Sequence, residues 1–338
     1  MANLKNTQIN DTGFLQLPAG TSAQRPGSPQ EGMIRYNTDF NQTEYYDGLA
    51  WRNIKDFGPK ATGGDVVSNI VVGGIPYTVH YFTSTGNSTF TVTKGGEVEY
   101  LIVAGGGAGG FGVCNDGAGG GGGAGGVLIG TISITPQTYS IIVGGGGSTT
   151  ASSPADDGNN SSAFGLTAIG GGGGGGWGGG GTARAGGSGG GGGQNTFNRF
   201  GASGTPGQGN SGGDANTQYV GNINDAGGGG GGAGSSGQNA IARVGGNGGS
   251  GIVTSIADKP LAVGGGGGGG GAEPGRGGLG GGGVGGRRVG SGLPGTPNTG
   301  GGGGGGKDGD AGNRTCAETG GAGGSGIVIV RYVNYTTT

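Results

Sequence analysis

An all-β fold is what this sequence predicts, on three observations. Short Val/Ile-rich segments return repeatedly between glycine runs, each beginning or ending in Gly. β-branched and aromatic runs are broken by good turn residues, at STGNS (84–88) and KGG (94–96). The glycine runs Gly170–Gly176, Gly227–Gly232, Gly264–Gly271 and Gly300–Gly306 are of similar length, which suits side-by-side packing of an ordered structure. A flexible tether would need none of these three features.

Taken in order, residues 1–60 are poor in Gly and ordinary in composition, and read as a separate N-terminal module. GMIRYNT and TEYYDGLAWRNI alternate apolar and polar residues around the loop DFNQ, the pattern of a short hairpin. Residues 64–338 form the second domain. It opens with the strand-rich block to about 104, and its Gly-rich loops span about 105–325. Strand-like segments recur in GGVLIGTISITPQTYSIIVGGGG, SSAFGLTAIGGGG, GSGIVTSIADKPLAVGGGG and the closing GSGIVIVRYVNY. A β-sandwich with Gly-rich loops at one end accommodates them.

Ordered glycine runs have a specific physical solution. Without Cβ, two backbones approach closely enough to bond directly. A polyproline-II chain makes no internal hydrogen bonds and turns its N–H and C=O groups outward. A bundle of such polyglycine-II helices satisfies those groups between neighbours. Ordering each residue costs about 1–2 kcal/mol, so only a bundle with nearly all its backbone bonds made can form.

Composition excludes several classes. The 106 Gly and 12 Pro among 338 residues make about a third of the chain, yet no Gly-X-Y period accompanies them, which rules out collagen. Charged residues are 11% and the net charge is −2, too little for charge-driven disorder and lacking the Lys/Arg excess of a nucleic-acid-binding face. The N-terminus lacks a signal-peptide pattern and no run is long enough to span a membrane, so assembly in a cytoplasm is expected. One His and two Cys suggest neither a zinc site nor a disulfide framework.

Catalytic motifs fail as well, and no enzymatic activity or cofactor is expected. GGGGGGKD places Asp308 where a phosphate loop needs Ser or Thr. His80 lies in YTVHYFT and reads as a strand residue. ADDGNN (155–160) and KDGDAGN (307–313) carry carboxylates at short spacing but miss the EF-hand pattern, so turn chemistry is favoured. Arg276 and the Arg287–Arg288 pair are isolated, unlike repeated RNA-binding tails.

The non-Gly islands are the candidate binding elements. Trp177, Phe197, Arg199, Phe200, Tyr219, Arg287 and Arg288 are too large for a glycine bundle to bury. They belong at its rim or tip, where exposed aromatic and Arg side chains make binding hot spots; capping the bundle or packing on a neighbouring subunit is the alternative. If EYLIVAGG and GSGIVIVRY are antiparallel neighbours, Cys114 lies ten residues beyond Ala104 and Cys316 ten residues before Gly326. The two thiols are then expected to lie close together and to be able to pair once oxidised.

PAGTSAQRPGSPQEGMIRYNTDFNQTEYYDGLAWRNI resembles a segment of tailed-bacteriophage virion proteins, especially tail fibres. YTVHYFTSTGNSTFTVTKGGEVEYLIVAGGGAGG, GGGGAGGVLIGTISITPQTYSIIVGGGG and the closing GGSGIVIVRY resemble the glycine-rich domain of phage tail proteins. The long Gly runs are similar in kind to the polyglycine-II tip adhesins of T-even-like long tail fibres. The resemblance implies a virion location, a homotrimeric fibre or its tip, and no catalysis. The partners it implies are other virion proteins at the N-terminal end and a bacterial surface receptor, polysaccharide or outer-membrane protein. Two other readings remain: a structural decoration of head, neck or baseplate whose glycine domain only packs subunits together, and a disordered RNA-binding or silk-like chain.

Overall fold

The structure is a computed structural model that describes residues 16–54, 58–113, 117–149, 155–176, 181–194, 199–216, 225–288, 290–307 and 317–334. Its contacts divide the chain into one unit of residues 1–58 with 335–338 and a second of residues 59–334.

The first unit is a four-stranded sheet of β1 (Ala19–Gly20), β2 (Ile34–Asn37), β3 (Gln42–Tyr46) and β4 (Trp51–Asn53) in that order. The expected hairpin is the β2–β3 pair, with Arg35 opposite Glu44. The sheet extends it on both sides. Asp47 Oδ1 accepts the amides of Leu49 and Ala50, which folds the chain back into β4, and β1 adds in parallel beside β2. The buried side chains here are polar: Arg35, Asn37 and Glu44. Glu44 accepts from Arg25 at 2.6 Å and from Asn37 at 3.0 Å, and Arg35 Nε lies 3.6 Å away. The Arg25 bond, outweighing desolvation, holds the Glu44 carboxyl below its usual pKa.

The second unit begins with two five-stranded sheets. One contains β6 (Val66–Val72), β7 (Ile75–Phe82), β9 (Gly96–Val103), β11 (Val127–Ile134) and β18 (Ile327–Val333), in the order β11-β9-β18-β7-β6. The other contains β5 (Lys60–Gly63), β8 (Gly86–Lys94), β12 (Thr138–Val143), β13 (Ser161–Ala163) and β14 (Leu166–Ala168), in the order β14-β13-β12-β8-β5. Phe82, Phe90, Ile102, Ile141, Val328 and Val330 fill the space between them. On the far face of the first sheet a hairpin of β15 (Ile252–Thr254) and β16 (Leu261–Val263) covers Leu101, Val103, Ile327 and Ile329. β18 is therefore buried on both faces, which is why IVIVRY runs apolar almost without alternation. Arg331 is accommodated by Glu99 at 2.7 Å, the Ser255 carbonyl at 2.6 Å and the Tyr77 ring.

Where β9, β11 and β18 end, their glycine extensions continue in the same register. Val103 pairs with Val127, and beyond it the amides of Ala104, Gly107 and Gly110 bond to the carbonyls of Gly126, Gly123 and Gly120. Ile327 pairs with Val103, and beyond it Gly106 and Gly109 bond to Gly324 and Gly321. At the end of that path β10 (Gly112–Val113) pairs with β17 (Ala317–Glu318), still in step.

The bonding repeats every third residue, whereas a strand between two sheet neighbours repeats every second. Segment 118–126 donates in rotation to the 300–306, 169–175 and 228–231 segments. It accepts from 104–110, 188–194 and 267–270, at 2.7–3.0 Å throughout. Six neighbours thus surround one central chain. In Gly264–Gly271 every amide is bonded: 265, 268 and 271 to 280, 283 and 286; 266 and 269 to 249 and 246; 267 and 270 to 122 and 119. These runs are ordered structure, bonded to their neighbours with a three-residue repeat.

Candidate binding surface at the far end of the glycine bundle

One end of the bundle adjoins the sheets. At the other lie Val113, Gly176, Gln194, Asn216, Arg288 and Lys307, each the last described residue of its segment, and Gly117, Gly181, Arg199, Asp225, Gly290 and Ala317, each the first of the next. Bonds fix these ends at a common level. Gln194 N donates to Ala118 O, Gly120 N to Gly175 O, Gly119 N to Gly306 O and Gly270 N to Gly119 O, while Asn216 N meets Ala226 O. In sequence, every candidate binding residue lies between or beside these segment ends.

Arg199 and Phe200 are among the described residues. Both are exposed, Phe200 at 59%, and the Arg199 guanidinium sits 5.5 Å from the Phe200 ring centroid. Their backbone is held by Ala215 N to Arg199 O, 2.8 Å, and Gly201 N to Asp214 Oδ1, 2.9 Å. Arg287 and Arg288 are exposed too. Arg288 adopts a left-handed φ of 49° and donates its amide to Gly271 O. Trp177, Phe197 and Tyr219 lie outside the described residues, as do Cys114 and Cys316.

Beneath this end lies a polar layer that sequence reasoning did not find. Gln194, Asp225 and Lys307 are buried around Ala118, and Gln194 Nε2 donates a very short bond to Asp225 Oδ2. Phe111 closes the bundle beside Gly176, where an added Cβ would meet its ring. Lys307 follows its glycine run directly, which is the only sequence cue for its burial. A side chain as long as Lys enters where the close packing of glycine ends.

The acidic turn candidates also have places. Asp157 accepts the Gly173 amide at 2.8 Å and pairs with Arg184 at 3.1 Å, so it ties two bundle segments together. Residues 308–313 lie outside the described residues. Among the described residues no three His, Cys, Asp or Glu side chains converge to hold a metal ion, and no helix is long and apolar enough to cross a membrane.

No curated protein matches the chain. A family described as glycine-rich domain matches residues 83–333, from the turn before β8 to the end of β18. That stretch takes in seven strands of the two sheets and the whole bundle, and the chain belongs to this glycine-rich domain family.

Proposed function

We propose that this chain is a non-enzymatic phage tail-fibre or fibre-tip adhesin, whose glycine bundle is a polyglycine-II scaffold holding binding loops at one end. One observation carries the reading: described segment ends of the bundle are bonded together at a common level, and the non-Gly islands adjoin those ends in sequence. A rigid scaffold reduces the entropy lost when its loops bind. Arg–aromatic pairs such as Arg199–Phe200 suit the saccharides and protein loops of a bacterial surface. The resemblance of residues 18–54 to virion segments supports attachment through the first unit.

The test is binding of the labelled full chain to a panel of bacterial cells. Replacing Arg199, Phe200, Arg287 and Arg288 together by Ala should weaken binding about tenfold or more and leave the melting temperature unchanged. A chain that binds no cells, or whose binding survives these replacements, points instead to a decoration that only packs against other subunits.

A further inference from the structure

β6 is an edge strand of the sheet β11-β9-β18-β7-β6, and it lacks the devices that usually protect an edge. Its seven residues, Val66-Val67-Ser68-Asn69-Ile70-Val71-Val72, include no charge and no Pro, and they pair with β7 without a bulge. Val66, Val67 and Val71 are 54%, 53% and 68% exposed. The strand is also its own complement. Run antiparallel to a second copy about Asn69, Val66 meets Val72, Val67 meets Val71, Ser68 meets Ile70 and Asn69 meets Asn69. Val67, Asn69 and Val71 share one face by strand alternation, so a two-fold axis would bring Val67 and Val71, both more than half exposed, together twice.

Charge raises no obstacle. The nearest carboxylate, Asp65, is turned into its own loop, accepting from the Thr83 and Ser84 amides. In this register it would face Gly73 of the second copy.

We infer that β6 is a homotypic interface: two copies of this chain join edge to edge at β6, making one continuous ten-stranded sheet across an isologous two-fold contact. The occupant is a second copy because Val66 and Val67 mirror Val72 and Val71 about Asn69, so both ends of the strand meet valine with valine across the two-fold axis.

A strand pair is a small interface, so the full chain should be examined at about 50 μM. Sedimentation should give twice the 31.6 kDa chain mass, or six times if the contact joins two trimers. The double change Val67→Lys, Val71→Lys should halve that mass without moving the main thermal transition. Asn69→Cys should form a 69–69 disulfide under mild oxidation, since facing Cα atoms in such a pair are about 4.5–5.5 Å apart. A wild-type monomer at this concentration, or a plain trimer, overturns the inference. So does an assembly in which Asn69→Cys fails to cross-link.

Discussion

Glycine does different work at different positions, and the bundle depends on the difference. A Cβ at Gly122 would lie 2.1 Å from the Gly107 carbonyl oxygen, and one at Gly267 2.0 Å from that of Gly303. Both neighbours are backbone, so only separating the segments, and breaking their bonds, makes room. At Gly27 nothing lies within 4 Å. Gly267→Ala should therefore destabilise the second unit by about 3 kcal/mol or more, while Gly27→Ala changes little; thermal melts of the two variants compare them directly. His80 offers a second test. It is buried against Phe90 and Tyr332, with Nδ1 2.7 Å from the Gly63 carbonyl and Nε2 3.1 Å from the Tyr332 hydroxyl. Burial pushes its pKa below the usual 6.5, against an opposing pull from the Gly63 carbonyl. The unfolded chain then takes up the proton first, so this contribution is full above about pH 6.5 and is lost as pH falls toward the folded value. Melting temperature should be flat from about pH 8 to 7 and drop below about 6.5, and His80→Phe should flatten the drop. An unchanged slope in that variant would assign the effect to other groups. The sequence marks His80 as a strand residue, but its burial depends on Phe90 and Tyr332, which the fold brings from other strands.

The strands supply the register that the glycine runs lack. One glycine run is chemically the same as another, so nothing within Gly264–Gly271 specifies Gly122 as a partner. The sandwich strands do specify it, because each run inherits the alignment of the strand it extends. Hence the existence, length and order of the runs were legible in the sequence, and so was the antiparallel pairing of the strands that continue from Val103 and into Ile327. The six neighbours of segment 118–126 were not, nor was the β6–β7 hairpin, whose Gly73–Gly74 turn resembles every other Gly pair. At the far end, Arg199 and the Arg287–Arg288 pair were legible as islands. The layer of Gln194, Asp225 and Lys307 was not, since Lys307's place after its glycine run is the sole cue and nothing local marks Gln194 or Asp225 for burial. Two predictions belong here. Amides of Gly265–Gly271 should exchange as slowly as those of β18, and exchange at unstructured rates would mean that the bonds of the bundle do not persist. Val113 pairs with Ala317, and Cys114 and Cys316 are their neighbours in sequence. Non-reducing peptide mapping of oxidised protein should find the 114–316 disulfide; two free thiols would refute the pairing.

The two units should unfold separately, because different forces hold them. In the first, the buried side chains among the described residues are Arg35, Asn37 and Glu44, so its stability rests on ladder bonds and one ion cluster. In the second, two apolar clusters and the bundle are joined by chains that run from one into the other. Segment 118–126 bonds to partners spread from Ala104 to Gly306, and losing any one of them strands buried N–H or C=O groups in the rest. Such a network has no stable half-formed state, so residues 59–334 should melt in a single sharp transition. Calorimetry of the full chain is expected to show that transition above a smaller, earlier one. Glu44→Gln removes the charge that Arg25 and Arg35 face, at a cost of about 3 kcal/mol, and should lower only the earlier transition, by more than about 10 °C. Gly267→Ala should lower only the later one. If either change moved both transitions together, the units would be folding as one. The bundle's rigidity would then depend on the first unit, and the far end of the bundle could not be studied apart from it.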